Sequence, residues 1–390
     1  MKNKCNSLER IRLSLEHKEP DRIPFDMGSS LDTGISAIAY KNLRDYLNFQ
    51  KKEIRIYDQV QQLAFIDQDI FEYLKIDLKL FELGKPINKG LETDVKLEGD
   101  YKTFTDEWGI GLRMPVEGGL YFDMYKHPLS EINDVKGLLK YPFPDAGDAG
   151  RFKLMKEKAE KYIQQEKVAY ILGQNLGGIF EMSLWLRGFE NFFTDLILNP
   201  GFAETILDII TENKIKFWNK ALEEVGENVI VITESDDIAS QDGPLISPDI
   251  YRKFIKPRLK RIIEFIRKKA RTKVYVFYHS CGAVKEFIPD LIECGIDILN
   301  PVQVSAKGMD SKELKKLYGK DITFWGGGID SQKILPYGTT NEVQDEVKRR
   351  IDDFAPGGGF VFNTVHCIQP DVPPENIVAM WETLQKYGKY

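Results

Sequence analysis

Two residues that bind soft metals stand two apart in the run Val274-Tyr-Val-Phe-Tyr-His-Ser-Cys-Gly282, namely His279 and Cys281. Alternate side chains of an extended strand share a face, so one ion can reach both. A third candidate, Cys367, closes the run Phe360-Val-Phe-Asn-Thr-Val-His-Cys367, again where an apolar strand gives way to a loop. One imidazole and two thiolates make a zinc set with the fourth position open, as in a catalytic site. His366 faces the other way if the strand continues, and a loop conformation there would exchange the roles of His366 and Cys367. Of the other two cysteines, Cys294 in Leu291-Ile-Glu-Cys-Gly295 reads as a small buried apolar residue and Cys5 as an inert tail position.

Carboxylates follow a strand of β-branched residues in Val229-Ile-Val-Ile-Thr-Glu-Ser-Asp-Asp237. Glu234 and Asp236 are candidates for the fourth metal position, and either of them or Asp237 for a proton donor to a leaving group; a solvated loop is the plainer alternative. The glycine clusters Gly326-Gly-Gly-Ile-Asp330 and Gly357-Gly-Gly-Phe360 have neither the spacing of a dinucleotide fold nor that of a phosphate loop. They read as backbone clearance.

These residues need a frame that brings distant strand ends together. Eight short apolar runs alternate with helical stretches: Arg22–Met27, Ile76–Phe81, Val168–Gly173, Val229–Glu234, Lys273–His279, Ile296–Asn300, Thr323–Gly327 and Phe360–Thr364. Helices are expected over Tyr251–Ile266, where apolar residues recur at three and four, and over Arg151–Lys167. Eight β/α units predict an α/β chain folded as a (β/α)8 TIM barrel, with its site at the C-terminal ends of the strands. Lys96–Met114 and Gly119–Tyr125 break the rhythm and read as antiparallel ribbon, an insertion near residues 86–144 with Trp108 at a tip and the character of a lid. Residues 1–390 are read as a single barrel domain carrying that insertion.

Composition excludes several classes. The 390 residues are 42% hydrophobic and 29% charged, enough to bury a large core and too charged for a membrane protein. The net charge of −6 argues against general nucleic-acid binding. No signal peptide is legible at the N-terminus, and four scattered cysteines suit a reducing cytoplasm. Aromatic residues in strands and insertion, among them Phe25, Trp108, Tyr121, Phe122, Phe180, Trp185, Tyr275, Phe277 and Trp325, would suit a flat ligand.

Several stretches together carry a family likeness: Arg22-Ile-Pro-Phe25, Leu186-Arg-Gly-Phe-Glu190, the run from Asp236 to Pro248, His279-Ser-Cys-Gly282, Cys294-Gly-Ile-Asp297, Gly326-Gly-Gly-Ile-Asp330, Pro373-Pro-Glu-Asn376 and Tyr387-Gly-Lys-Tyr390. On these the chain resembles the uroporphyrinogen decarboxylase superfamily, and more closely its cobalamin-dependent methyltransferase branch. The resemblance implies a zinc ion on His279, Cys281 and Cys367 and a corrinoid carried by a partner protein. It implies methyl transfer between that cobalt and a small substrate. A methoxylated aromatic that loses its methyl is the favoured substrate, a thiol of coenzyme-M type that gains one is the alternative, and a metal-independent porphyrinogen decarboxylase is the other. True porphyrinogen decarboxylases carry an arginine-rich N-terminal signature, whereas Phe25-Asp-Met-Gly-Ser-Ser-Leu-Asp32 has no arginine.

Overall fold

The computed structural model describes residues 4–87, 94–173 and 176–390. Its centre is a parallel sheet of seven strands: β1 (Leu78–Lys79), β2 (Ala169–Leu172), β3 (Val231–Ser235), β4 (Tyr275–His279), β5 (Ile298–Asn300), β6 (Thr323–Trp325) and β7 (Phe360–Val361), each bonded to the next in chain order. These strands are buried along nearly their whole length, which is why they read as continuous apolar runs.

The eighth stave is the stretch 24–26. Pro24 O accepts from Phe362 N–H at 2.9 Å, Asp26 N–H donates to Phe362 O at 2.9 Å, and Phe25 O accepts from Asp77 N–H at 2.8 Å. The stretch therefore bonds to both open edges of the sheet and closes it into a barrel. All eight expected strands are represented. The first is reduced to bridges because Pro24 has no N–H to give the ladder.

Helices cover the outside. Pro200–Val225 starts with proline at its first turn and buries Ile206, Ile210, Lys214, Phe217, Trp218 and Ala221 on one face. The helix expected over 251–266 extends to Lys269 but opens with a widened turn at Tyr251–Ile255. Pro257 lies just beyond and leaves the carbonyl of Lys253 without its usual donor. The helix expected over 151–167 is broken into a tight turn (Ala149–Phe152), a regular helix (Met155–Glu160) and a wide turn (Lys161–Glu166). Leu154, at φ +61°, interrupts it.

Between β1 and β2 the chain forms a four-stranded antiparallel sheet from Lys96–Glu98, Tyr101–Thr105, Gly111–Pro115 and Asp123–Lys126. It falls within the expected insertion, of which residues 88–93 lie outside the described residues. Its apolar side joins the main core, with the Phe104 and Phe122 ring centroids 4.9 Å apart. Trp108, expected at a tip, is buried beside Phe143, and its carbonyl accepts from Tyr141 OH at 2.5 Å. Among the described residues no helix is long and apolar enough to cross a membrane.

Candidate metal centre

Strand register sets the site. His279, the last residue of β4, lies level with Ser235 on β3 and Asn300 on β5, so three strand ends meet in one row at the C-terminal rim. The His279 ring points into a buried polar setting where Nδ1 stands 2.6 Å from Asn300 Oδ1. Asn300 Nδ2 is committed to Trp325 O at 2.8 Å, so its Oδ1 is the face presented to the ring. Nδ1 must then carry the proton, and the Nε2 lone pair is left free.

Cys281 Sγ lies 3.5 Å from that Nε2. The turn holding it depends on Gly282, which has φ +87° and on which a Cβ would come within 2.5 Å of Ala239 O and Ser240 O. The Cys281 backbone N–H donates to Asp237 Oδ1 at 2.7 Å. Asp237 Oδ1 is also 3.9 Å from His279 Nε2, and Asp32 Oδ1 is 3.6 Å from His279 Nδ1.

The loop after β7 brings His366 to the cluster, and ligand atoms of His279, Cys281 and His366 all lie within 4.8 Å of one another. His366 sits at φ +66°, so the strand does not continue there and strand parity no longer decides which of His366 and Cys367 faces the cluster. Cys367 N–H donates to His366 Nδ1 at 2.8 Å, which places the proton of the neutral imidazole on Nε2. His366 thus offers the cluster an N–H while that bond persists. The Cys367 thiol donates to Leu31 O at 3.1 Å and receives Gly34 N–H at 3.2 Å, outside the group of three but close enough for its charge to act on Cys281.

Both thiols are held well above their ordinary pKa. For Cys281 the cause is burial, then Asp237 and Asp32; for Cys367 it is burial, then Asp32. His279 is lowered by burial, but Asp32, Asp237 and Asn300 outweigh that and its pKa rises. His366 is lowered by burial and then by His279. Two thiols that resist ionisation, beside an imidazole with a free Nε2, are a donor set suited to a soft divalent cation, which would stabilise the thiolates.

The carboxylates divide by strand parity. Glu234 has the opposite parity to Ser235 and faces the helix layer, where its carboxylate pairs with Lys214 Nζ at 2.9 Å and accepts from Trp218 Nε1 at 2.6 Å. It does not join the cluster. Asp236 accepts from the Phe180 and Glu181 N–H groups at 2.9 and 2.7 Å, at the N-terminus of the helix Ile179–Arg187, and burial pushes its pKa up to about 7. Asp237 alone of the three reaches the metal-ligating atoms. Asp32 and Glu181 belong to the same mouth and were not anticipated as site residues. Glu181 is pushed well up by burial and then by Asp237 and Asp236.

A model of the family described as uroporphyrinogen decarboxylase (URO-D) matches residues 97–387. The methylcobamide:CoM methyltransferase MtaA of Methanosarcina barkeri is 34% identical over 202 residues, 51% of this chain and 53% of that protein. The chain thus spans about half the length of the relatives it first matches. A uroporphyrinogen decarboxylase of Pseudoalteromonas translucida is 25% identical over 312 residues, 75% of this chain and 79% of that protein. Among solved structures, a methyltransferase from Methanosarcina mazei aligns over 98% of this chain and 99% of its own with a TM-score of 0.63 at 20% identity, a likeness of fold.

Proposed function

We propose, for a chain that belongs to the uroporphyrinogen decarboxylase (URO-D) family, a zinc-dependent enzyme that moves a methyl group between a small substrate and the cobalt of a corrinoid held on a partner protein. The observation that carries it is the convergence of His279 Nε2 and Cys281 Sγ at 3.5 Å on the barrel's C-terminal rim. Likeness to MtaA over half its length adds support. Cys367 is the third ligand in this proposal: its sulfur already receives Gly34 N–H, a bond that strengthens once the sulfur is anionic. When bound, zinc would supply a Lewis acid that lowers the pKa of a substrate thiol or polarises an ether oxygen.

The chain's own residues supply the rest. Asn300 keeps His279 in the tautomer that frees Nε2. Asp236 ties the helix Ile179–Arg187 to the rim. Asp237, part-exposed beside Cys281, takes the proton of an incoming thiol. The same carboxyl can give a proton to a departing oxygen, which supports the methoxylated-aromatic direction as a second reading. The aromatic residues add little to that second direction, because Phe122, Phe180 and Phe277 pack on Phe104, Phe192 and Trp325. Methyl transfer to a thiol is therefore the main proposal, and a reducing cytoplasm, which keeps thiols available as metal ligands, is the compartment proposed for it.

Tetrapyrrole decarboxylation would need cations for the substrate's carboxylates. Arg10 and Arg22, two arginines near the N-terminal loop, are spent on Asp77 at 2.6 and 2.8 Å. The test is to load the protein with zinc, add methylcobalamin with 2-mercaptoethanol, or reduced corrinoid with methoxybenzenes, and follow the cobalt spectrum. About one zinc per chain and a change in methylation state are expected, and both should be lost in Cys281→Ser. No zinc uptake, with carbon dioxide released from uroporphyrinogen, would overturn the proposal.

A further inference from the structure

Cys367 owes its seat to a distant part of the chain. Its thiol donates to Leu31 O at 3.1 Å and its sulfur receives Gly34 N–H at 3.2 Å, so one loop, residues 28–34, holds it with a carbonyl and an amide. A loop holds a side chain only as firmly as the loop is itself held. The ends of this one are tied, with Gly28 N–H donating to Thr33 O at 2.6 Å and Ile368 N–H to Gly34 O at 2.9 Å. Ser30 and Leu31 between them lie in irregular backbone, so their carbonyls have no ladder or helix to join.

A short hairpin takes up those carbonyls. Ile56–Asp58 and Leu63–Ala64 pair antiparallel, and the hairpin is fixed to the segment after the loop by Ala64 N–H to Ile35 O and Ala37 N–H to Gln62 O, both at 2.8 Å. Tyr57 Oη–H donates to Ser30 O at 2.6 Å and Gln61 Nε2–H to Leu31 O at 3.1 Å. Leu31 O therefore accepts from Gln61 and from Cys367 at once. At Gly34 a Cβ would stand 2.7 Å from Tyr57 Oη and 2.9 Å from Leu63 Cδ1, closer than packed atoms come, so the hairpin lies directly on the residue whose amide meets the sulfur. The hairpin turn is braced in its own right: Asp58 Oδ1 accepts Gln61 N–H at 2.7 Å, and Val60 O accepts Phe122 N–H from the insertion at 2.8 Å.

We propose that Tyr57 and Gln61 are positioning residues for the metal centre: the hairpin clamps loop 28–34 and so holds Cys367 in place as a ligand. The inference rests on the reading of Cys367 as the third ligand. His279 ends a strand and Cys281 follows two residues later, whereas Cys367 lies in a loop beyond His366 at φ +66° and has no strand to aim it. Fixing such a ligand in advance lowers the ordering cost that metal binding would otherwise carry.

The clamp is tested first without metal. Iodoacetamide labelling of the metal-free full chain, located by mass spectrometry, reads how often each thiol is uncovered. Tyr57→Phe and Gln61→Leu each remove one hydrogen bond and should each speed labelling of Cys367 by about fivefold, with a larger rise in the double variant. Cys294, buried at the end of the helix Ile288–Glu293, should keep the parent's rate. No rise at Cys367, or an equal rise at Cys294, would overturn the clamp. Zinc affinity, by competition with a chromophoric chelator, should fall by about fivefold in each variant and further in Cys367→Ser. If Cys367→Ser binds zinc as the parent does, the third-ligand reading fails and takes the positioning role with it. If Cys367→Ser is weakened while Tyr57→Phe and Gln61→Leu bind zinc as tightly as the parent or tighter, that reading stands and the positioning role is overturned.

Discussion

Asn300→Ala should weaken zinc binding without touching a ligand. Asn300 Oδ1 is the group within hydrogen-bond reach of His279 Nδ1, at 2.6 Å, whereas Asp32 Oδ1 stands off at 3.6 Å. Without Asn300 the imidazole proton can move to Nε2, the atom the metal needs, and the ring loses the bond that orients it. Loss of an outer-shell partner of this kind costs roughly 10- to 100-fold in metal affinity, about 1.4–2.7 kcal/mol. Both residues are buried, so no water readily replaces the lost acceptor, and the upper half of that range is expected. Zinc affinity is to be measured by competition with a chromophoric chelator, alongside thermal unfolding of the metal-free protein to confirm folding. Asn300→Asp keeps an acceptor at Nδ1 and should retain zinc within a few-fold. A folded Asn300→Ala protein that binds zinc within twofold of the parent would refute the claim that Asn300 sets the tautomer.

Glu234→Gln should lower stability by about 3–5 kcal/mol in urea unfolding, because it strands Lys214 in the helix–barrel interface; a stable but inactive variant would instead make Glu234 catalytic. Gly178→Ala should cost about 1–3 kcal/mol, since its Cβ would lie 2.0 Å from Ser235 O and 2.2 Å from the Asp236 carboxyl carbon; an unchanged melting temperature counts against that packing. Metal-free stability should also depend on pH. Asp26, Asp58 and Asp236 keep protons in the native state to about 6, 6 and 7, whereas the unfolded chain releases them near 4, so their contribution to stability falls as pH rises from about 4 to 7. His17 and His366, lowered by burial, act in the opposite sense below about 6.5, so Asp58→Asn is the discriminating variant. Its stability, measured by urea unfolding at pH 5 and pH 8, should decline less over that interval than the parent's, and an identical decline would exclude Asp58 as a contributor.

The barrel was legible because a strand buried on both faces reads as an unbroken apolar run, and Val229-Ile-Val-Ile232 and Tyr275-Val-Phe-Tyr278 cannot be mistaken for amphipathic helix. Helix continuity was less so, since no residue type announces that Leu154 will adopt φ +61°. At the site, the two-residue spacing of His279 and Cys281 carried over directly into a shared location. His366 was harder, because its approach depends on a positive φ outside the reach of strand periodicity. Glu234 could have been set aside from parity alone, together with Lys214 and Trp218 four residues apart on a helix face. Asp32 and Glu181 offer no such signal: they lie in loops and at a helix start far from the metal-ligand motifs, and only barrel closure brings them in.

The loop bearing Cys367 is woven to the other end of the chain. Ile368 N–H donates to Gly34 O, Ser36 N–H to Ile368 O, both at 2.9 Å, and Gly34 N–H reaches Cys367 Sγ across 333 residues. During synthesis, therefore, His279 and Cys281 emerge from the ribosome well before the strand and loop that complete their surroundings. A chain halted before residue 367 would hold most of the barrel but lack Cys367, the third ligand proposed for the metal.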